Sequence, residues 1–502
     1  MKESIKYILK EQKELSLLGG IGALLGWDQM TYMPPSGAAE RAEQSAYLSQ
    51  MAHKKIVSNE LWEHVKKLND TTNFEKLSDA NKNIVKRLYI DLEKARKIPT
   101  DFVEKFSKTT TLAYQTWEKA REKNDFKTFA PKLSEIVELE KEYCQYINLP
   151  GPKYNSLLDD YEEGMTVYKL KEEFSYLKTK LIGILDKIKQ SSIYEKQQEI
   201  PIKLDVISQK KLCRSILEKM KLTNDKFRID ESTHPFTTSM GSYDVRITTN
   251  YHRKSPLFSF FSTIHEAGHG LYESNMPQDE YKNTVISDSP SLGLHESQSR
   301  FWENMIARSK PFWKHYYQIF KDMNSEQLKN FDLENLYRTV NQVEPSLIRV
   351  EADELTYCLH VILRFEIEVD LIQDKIKVDE LSTIWNQRMN EMLGIEPKND
   401  LEGVLQDMHW SGGSFGYFPT YAIGTIYASQ LYNKMIEENP GISKEIENGK
   451  FENIIKWLID KVHKYGRLET ADDIVKNACG TGLNSKVYID YLSDKYLNLY
   501  EI

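Results

Sequence analysis

Long stretches of this chain repeat apolar residues at the three- and four-residue intervals of an α-helix, and this periodicity limits the fold more than any other feature. Segments 80–96, 131–144, 167–190 and 210–219 set Leu and Ile against Lys and Glu, the pattern of helices that bury one face. Their charged faces read as solvated surfaces. Leu149-Pro150-Gly151-Pro152 makes a turn between two of them. No Ser/Gly/Pro-rich tract, internal repeat or low-complexity segment divides the 502 residues. The chain is therefore read as a single domain, 1–502, of mainly α class, with a mostly helical half over 1–225 and a second half over 226–502.

One stretch breaks the pattern. Residues 227–230 and 244–250 alternate apolar and polar positions and include β-branched residues, which predicts short strands. His234-Pro235-Phe236 and a turn at Gly241-Ser242 lie between them. A small sheet at about 226–250 is expected, whose edge an extended peptide could join through main-chain hydrogen bonds. A plain surface hairpin is the alternative.

Directly after this stretch comes His265-Glu266-Ala267-Gly268-His269. Ser255 reads as an N-cap, with Pro256 at the first helical position. Phe258, Phe261, Ile264, Leu271 and Tyr272 then recur at helical spacing until Asn275-Met276-Pro277 ends the run. On a helix the two histidines share one face, where a single metal ion can take both. His-Glu-x-x-His is a zinc-peptidase signature in which the glutamate serves as general base; a pair of buried core histidines is the plainer reading. Gly268 and Gly270 each cost a helix about 1 kcal/mol relative to alanine, so another element should pack closely there.

A catalytic metal site needs a third protein ligand. Leu294-His295-Glu296 offers two, on a helix expected to start at Ser289-Pro290 and to continue through Phe301, Met305 and Ile306. Spacing leaves Glu296 and His295 both open, and Glu296 has an ordinary ion-pair partner in Arg300 at i+4. Glu273, four residues beyond His269, is placed to orient that histidine.

The net charge of −8 argues against a nucleic-acid footprint. Four scattered cysteines without a Cys-x-x-Cys spacing give neither a disulfide framework nor a cysteine metal knot. Residues 15–27 are apolar and glycine-rich but too short to span a bilayer. They read as the first core helix and the turn after it. The mixed Lys and Glu before them differ from a signal peptide. A cytoplasmic protein without membrane or nucleic-acid partners is expected.

Further motifs follow in order: Asp244-Val245-Arg246-Ile247-Thr248, His295-Glu296-Ser297-Gln298, Ile348-Arg349-Val350-Glu351-Ala352-Asp353 and Gly403-Val404-Leu405-Gln406-Asp407-Met408-His409-Trp410. With His234-Pro235-Phe236, the His265–His269 motif, and Trp27-Asp28-Gln29 near the N-terminus, the chain resembles the carboxypeptidase Taq family of metallocarboxypeptidases over essentially its whole length. The resemblance implies a helical, neurolysin-like fold with a deep active-site cleft and a homodimer. It implies release of single residues from free peptide C-termini with broad specificity, and one divalent metal per subunit, Zn2+ first, with Co2+ or Mn2+ acceptable. It also selects Glu296 over His295 as the third ligand.

A carboxypeptidase must hold a free carboxylate, and an arginine fork binds both oxygens. Segment 345–370 reads as a helix on which Arg349, Asp353, Tyr357 and His360 form one polar stripe. Arg349 is expected to grip the carboxylate with Asp353 orienting it. Arg246 is the rival anchor or a limit on substrate length, and His234 joins the substrate-binding set. In the glycine- and aromatic-rich stretch 409–421, His409 and Tyr421 are expected to donate to the oxyanion, with Tyr417 as the alternative. An endo-oligopeptidase of the same fold and a non-catalytic, zinc-containing peptide-binding protein are the competing readings.

Overall fold

The computed structural model describes residues 1–197, 199, 204–222, 225–251, 256–324 and 326–502. The periodic segments are helices Asp79–Arg96, Phe126–Ile147, Val167–Lys189 and Val206–Lys219. The second starts five residues before the expected 131, with Pro131 inside it. Asp125 caps it by accepting the Lys127 N–H at 3.1 Å, and Phe126, Phe129 and Ala130 are buried. Cap and burial together outweigh the proline.

The N-terminal expectation needs correction. One helix, Lys2–Thr31, runs straight through Gly19, Gly20, Gly22 and Gly26, with no turn after residue 15. Its core contact also comes earlier than 15–27: Ile8 is buried in a second hydrophobic cluster, whereas Leu17, Ile21 and Leu24 are exposed and Trp27 is the buried aromatic. A Cβ at Gly20 would lie 2.7 Å from the Met240 carbonyl oxygen, so that glycine lets the helix lie against the sheet edge.

That sheet has three strands, β1 (Phe227–Glu231), β2 (Thr237–Gly241) and β3 (Asp244–Thr249), in the order β1-β3-β2. β1 runs parallel to β3, with Arg228 opposite Arg246, and β2 is antiparallel to it, with Thr238 opposite Arg246. β2 was not expected, because Thr237-Thr238-Ser239-Met240 lacks an apolar alternation and is half-buried throughout. Phe227, Val245 and Ile247 turn into the main core.

Against this face lies the histidine helix, Pro256–Ser274; its expected cap Ser255 falls outside the described residues. The glutamate helix, Leu292–Arg300, packs beside it and passes into a π-helical turn, Phe301–Ala307. It begins later than Ser289-Pro290 because Ser291 is the cap, its Oγ accepting the Leu294 N–H at 2.9 Å. The tyrosine helix, Pro419–Glu438, crosses the glutamate helix. All four cysteines are free, and Cys358 is buried in helix Tyr357–Ile372. Among the described residues, no helix is long and apolar enough to cross a membrane.

Candidate active site

The two costly glycines of the histidine helix are explained by their neighbours. A Cβ at Gly268 would sit 2.5 Å from the Gln298 carbonyl oxygen, and one at Gly270 would sit 2.5 Å from the Phe227 ring. The glutamate helix therefore touches the histidine helix backbone to backbone. From the other side Gly424 of the tyrosine helix admits it as closely, a Cβ there lying 2.8 Å from Glu296 Cβ. Two glycine-permitted contacts, at Gly268 and Gly424, thus stack the histidine, glutamate and tyrosine helices, while Gly270 seats the histidine helix on the sheet.

This stacking brings Glu296 to the histidines. Its Oε2 lies 3.7 Å from His265 Nε2 and 3.4 Å from His269 Nε2. Bonds of about 2.0–2.1 Å in a tetrahedral site imply ligand-to-ligand edges of about 3.3–3.4 Å, so the donors already stand close to coordinating distance. Among the described residues, these three form the one group of His, Cys, Asp or Glu side chains able to hold a metal ion. Two imidazoles and a carboxylate are also the right chemistry for one, leaving a fourth position for water.

His265 Nδ1 is bonded to Glu303 Oε2 at 2.8 Å, which fixes the ring so that Nε2 faces the metal position. Arg300 bonds Glu296 Oε1 at 2.7 Å, lies 3.6 Å from Glu303, and stacks on the Tyr357 ring at 4.2 Å. Burial opposes charge on Glu296, yet Arg300 and the histidines hold its carboxyl well below the usual range. Glu273 does not orient His269, as the spacing had indicated. It accepts from His295 Nε2 at 2.8 Å, and the His295 ring stacks on His269 at 4.4 Å. His295 is therefore a neighbour of the donor set and lies outside it.

Glu266 is buried beside the donors. Its Oε2 is 2.7 Å from Thr237 Oγ1, on the unforeseen strand β2. Desolvation raises its pKa above the ordinary value.

The expected stripe from Arg349 to His360 does not exist. Arg349 lies in a 3₁₀ turn, Arg349–Glu351, and the helix starts only at Tyr357. Asp353 separates the two: its carboxylate accepts the N–H groups of Leu355 and Thr356 at 2.9 Å each and that of Glu344 at 3.0 Å. Asp353 thus holds the turn before the helix and does not orient Arg349. His360 is fully buried.

Arg349 is instead held by Asp407 Oδ1, at 2.9 Å from Nη2 and 3.3 Å from Nε, and its Nη1 donates to the Tyr357 hydroxyl at 3.2 Å. Asp407 also takes Arg364 Nε at 2.6 Å, so one carboxylate serves two buried guanidiniums. Of the five N–H groups of Arg349, these bonds leave one on each terminal nitrogen. The guanidinium stacks on Tyr421 at 4.9 Å. Tyr357 links the two halves of the site, taking Arg349 on its hydroxyl and Arg300 on its ring.

His409 follows two residues after Asp407 and stacks near Tyr417 at 5.3 Å, and Tyr417 meets Tyr421 edge-on at 5.4 Å. Burial, reinforced by Arg349 and Arg364, lowers the His409 pKa to about 4, so the ring is neutral at pH 7. Burial likewise keeps Tyr421 protonated. Arg246 sits apart, bonded twice to Asp244 at 2.8 Å and stacked on Trp27 at 4.5 Å. His234 is exposed in the loop before β2. Glu303, Arg364 and Thr237 escaped the sequence reading; a signal for Glu303 existed in its helical spacing from Glu296 and Arg300.

The model of the carboxypeptidase Taq (M32) metallopeptidases matches residues 7–496. Carboxypeptidase 1 of Bacillus subtilis (strain 168) is 39% identical over 488 residues, 97% of each chain. Thermostable carboxypeptidase 1 of Pyrococcus furiosus is 37% identical over 500 residues, 99% of each. The crystal structure of the M32 carboxypeptidase from Deinococcus radiodurans R1 superposes with a TM-score of 0.96 at 33% identity, covering 100% of both chains. With a three-donor metal group inside that shared fold, this chain belongs to the carboxypeptidase Taq (M32) family of metallopeptidases.

Proposed function

We propose that the protein, acting as one domain, is a metallocarboxypeptidase of broad specificity that releases single amino acids from peptide C-termini. The observation that carries this reading is the arrangement around Tyr357: on its ring lies Arg300, bonded to the metal donor Glu296, and on its hydroxyl a buried arginine with two N–H groups left to give. A free C-terminal carboxylate held by Arg349 would place the last peptide bond toward the donors.

In this reading His265, His269 and Glu296 hold one divalent ion. Zinc suits two imidazoles and a carboxylate, and cobalt or manganese would also be accepted. Bound there, the ion supplies Lewis acidity, lowering the pKa of a water and polarising the scissile carbonyl. Glu266 takes the proton of the attacking water, steadied by the Thr237 hydroxyl, and passes it to the leaving amine. Its raised pKa favours taking up that proton. Neutral His409 and protonated Tyr421 donate to the oxyanion, with Tyr417 orienting Tyr421. Arg246 and His234, on the sheet side, are assigned to peptide contacts away from the scissile bond. A homodimer is proposed from the family resemblance and a cytoplasmic setting from composition; sedimentation and cell fractionation test these.

The deciding experiment compares a peptide with its C-terminal amide. Losing a charge-assisted pair to Arg349 removes about 1.5–3 kcal/mol, so the amide should be cleaved about ten- to a hundredfold more slowly. Equal rates would overturn the exopeptidase reading.

A further inference from the structure

We propose that Glu368 is a positioning residue for this reaction: from within helix Tyr357–Ile372 its carboxylate clamps the 409–418 loop and so aims His409 and Tyr421. The inference rests on the reading of those two residues given above. Glu368 is fully buried and accepts three hydrogen bonds, two from the 409–418 loop and one from Tyr154. Its Oε1 takes the Trp410 indole N–H at 2.7 Å, and its Oε2 takes the Gly416 backbone N–H at 2.9 Å and the Tyr154 hydroxyl at 2.6 Å.

Both loop contacts adjoin site residues. Trp410 follows His409, and Gly416 precedes Tyr417, which lies edge-on to Tyr421. The loop has no slack at this point. Gly416 has φ +89°, and a Cβ there would lie 2.6 Å from the Leu157 carbonyl oxygen. No cation is hydrogen-bonded to Glu368 among the described residues; Arg364, one turn earlier, is spent on Asp407, Gln406 and the His360 carbonyl. Burying a carboxylate without a bonded counter-ion is costly. Packing alone would be met by an apolar side chain, whereas three directed donors fix the orientation of the loop as well as its place.

The test uses the full-length, metal-loaded enzyme. Glu368→Gln keeps the shape but turns an amide N–H₂ toward N–H or O–H donors. Its kcat per bound metal should fall about tenfold, with KM and metal content unchanged. In a Tyr421→Phe background the same change should cost less than threefold, since one of the aimed groups is already gone. A purely structural role would lower the melting temperature and the active fraction while leaving kcat per metal and its additivity untouched. An unchanged kcat, or an equal tenfold loss in both backgrounds, would overturn the proposal. If Glu368→Gln does not fold, Tyr154→Phe removes one donor and should lower kcat two- to threefold at constant KM; no change there overturns it equally. If Tyr421→Phe and His409→Gln each leave kcat intact, the underlying reading fails and takes this one with it. If they lower kcat and Glu368→Gln does not, this inference alone falls.

Discussion

Gly268→Ala puts the helix stacking to the test. In an open helix the change would stabilise by about 1 kcal/mol through propensity alone. Here the new Cβ would stand 2.5 Å from the Gln298 carbonyl oxygen and 2.8 Å from Ser299 Cα. Ordinary contact begins near 3.4 Å, a shortfall of about 0.9 Å against backbone atoms that cannot rotate away. Overpacking of this kind costs about 1–3 kcal/mol, so the net effect on stability should be zero to about 2 kcal/mol unfavourable. The functional effect should be larger. Relief requires the glutamate helix to move, and Glu296 moves with it. Metal sites tolerate departures of about 0.2 Å from ideal distances, so a shift several times that size should weaken the metal strongly. Chelator competition with metal analysis should show affinity reduced by at least tenfold, alongside a modest loss in denaturant unfolding. Gly19→Ala is the control, since nothing lies within 4 Å of a Cβ there; it should stabilise by up to about 1 kcal/mol. Wild-type metal affinity in Gly268→Ala would refute the claim that this contact places Glu296.

Glu303→Gln removes the charge that orients His265 and should weaken metal binding about tenfold by the same competition assay; unchanged affinity would exclude Glu303 from that role. Asp407→Asn leaves two buried guanidiniums without their shared carboxylate and should cost about 3–5 kcal/mol in denaturant unfolding, a loss under 1 kcal/mol being inconsistent with the network. Burial lowers the pKa of His409 from 6.5 to about 4, so the unfolded chain binds its proton first. The stability linked to this ring is complete above pH 6.5 and is withdrawn as pH falls toward 4. An imidazole NMR signal missing from His409→Gln should accordingly remain neutral at pH 5.5, and a midpoint near 6.5 would contradict the buried setting.

Helical periodicity placed the helices 79–96, 126–147, 167–189 and 206–219 to within about five residues, because it records a local fact: which residues of one segment share a face. The pairing of His265 with His269 is of the same kind, since one helical turn guarantees it. The motif order also carried the family, and with it Glu296. What was missed depends on contacts between distant segments. Ser289 and Ser291 are equally good caps on paper, and only the Leu294 N–H chose between them. Strand β2 has no burial pattern of its own and exists because β3 supplies its partners. Residues 15–27 read as a core helix and the turn after it, yet they continue one partly exposed helix that Gly20 fits to the sheet edge.

The site divides in the same way. Residue type and spacing were enough for His265 and His269, because both lie on one helical segment; the third donor lies on another helix, and there spacing left Glu296 and His295 open until the motif order selected Glu296. Only the folded chain decided that Glu273 serves His295 while Glu303 serves His265, and that Asp353 holds the turn before a helix while Asp407 holds Arg349. A carboxylate settles on whichever donor the folded backbone brings within about 3 Å, and for these acids the choice lay between neighbours in the chain and neighbours in space.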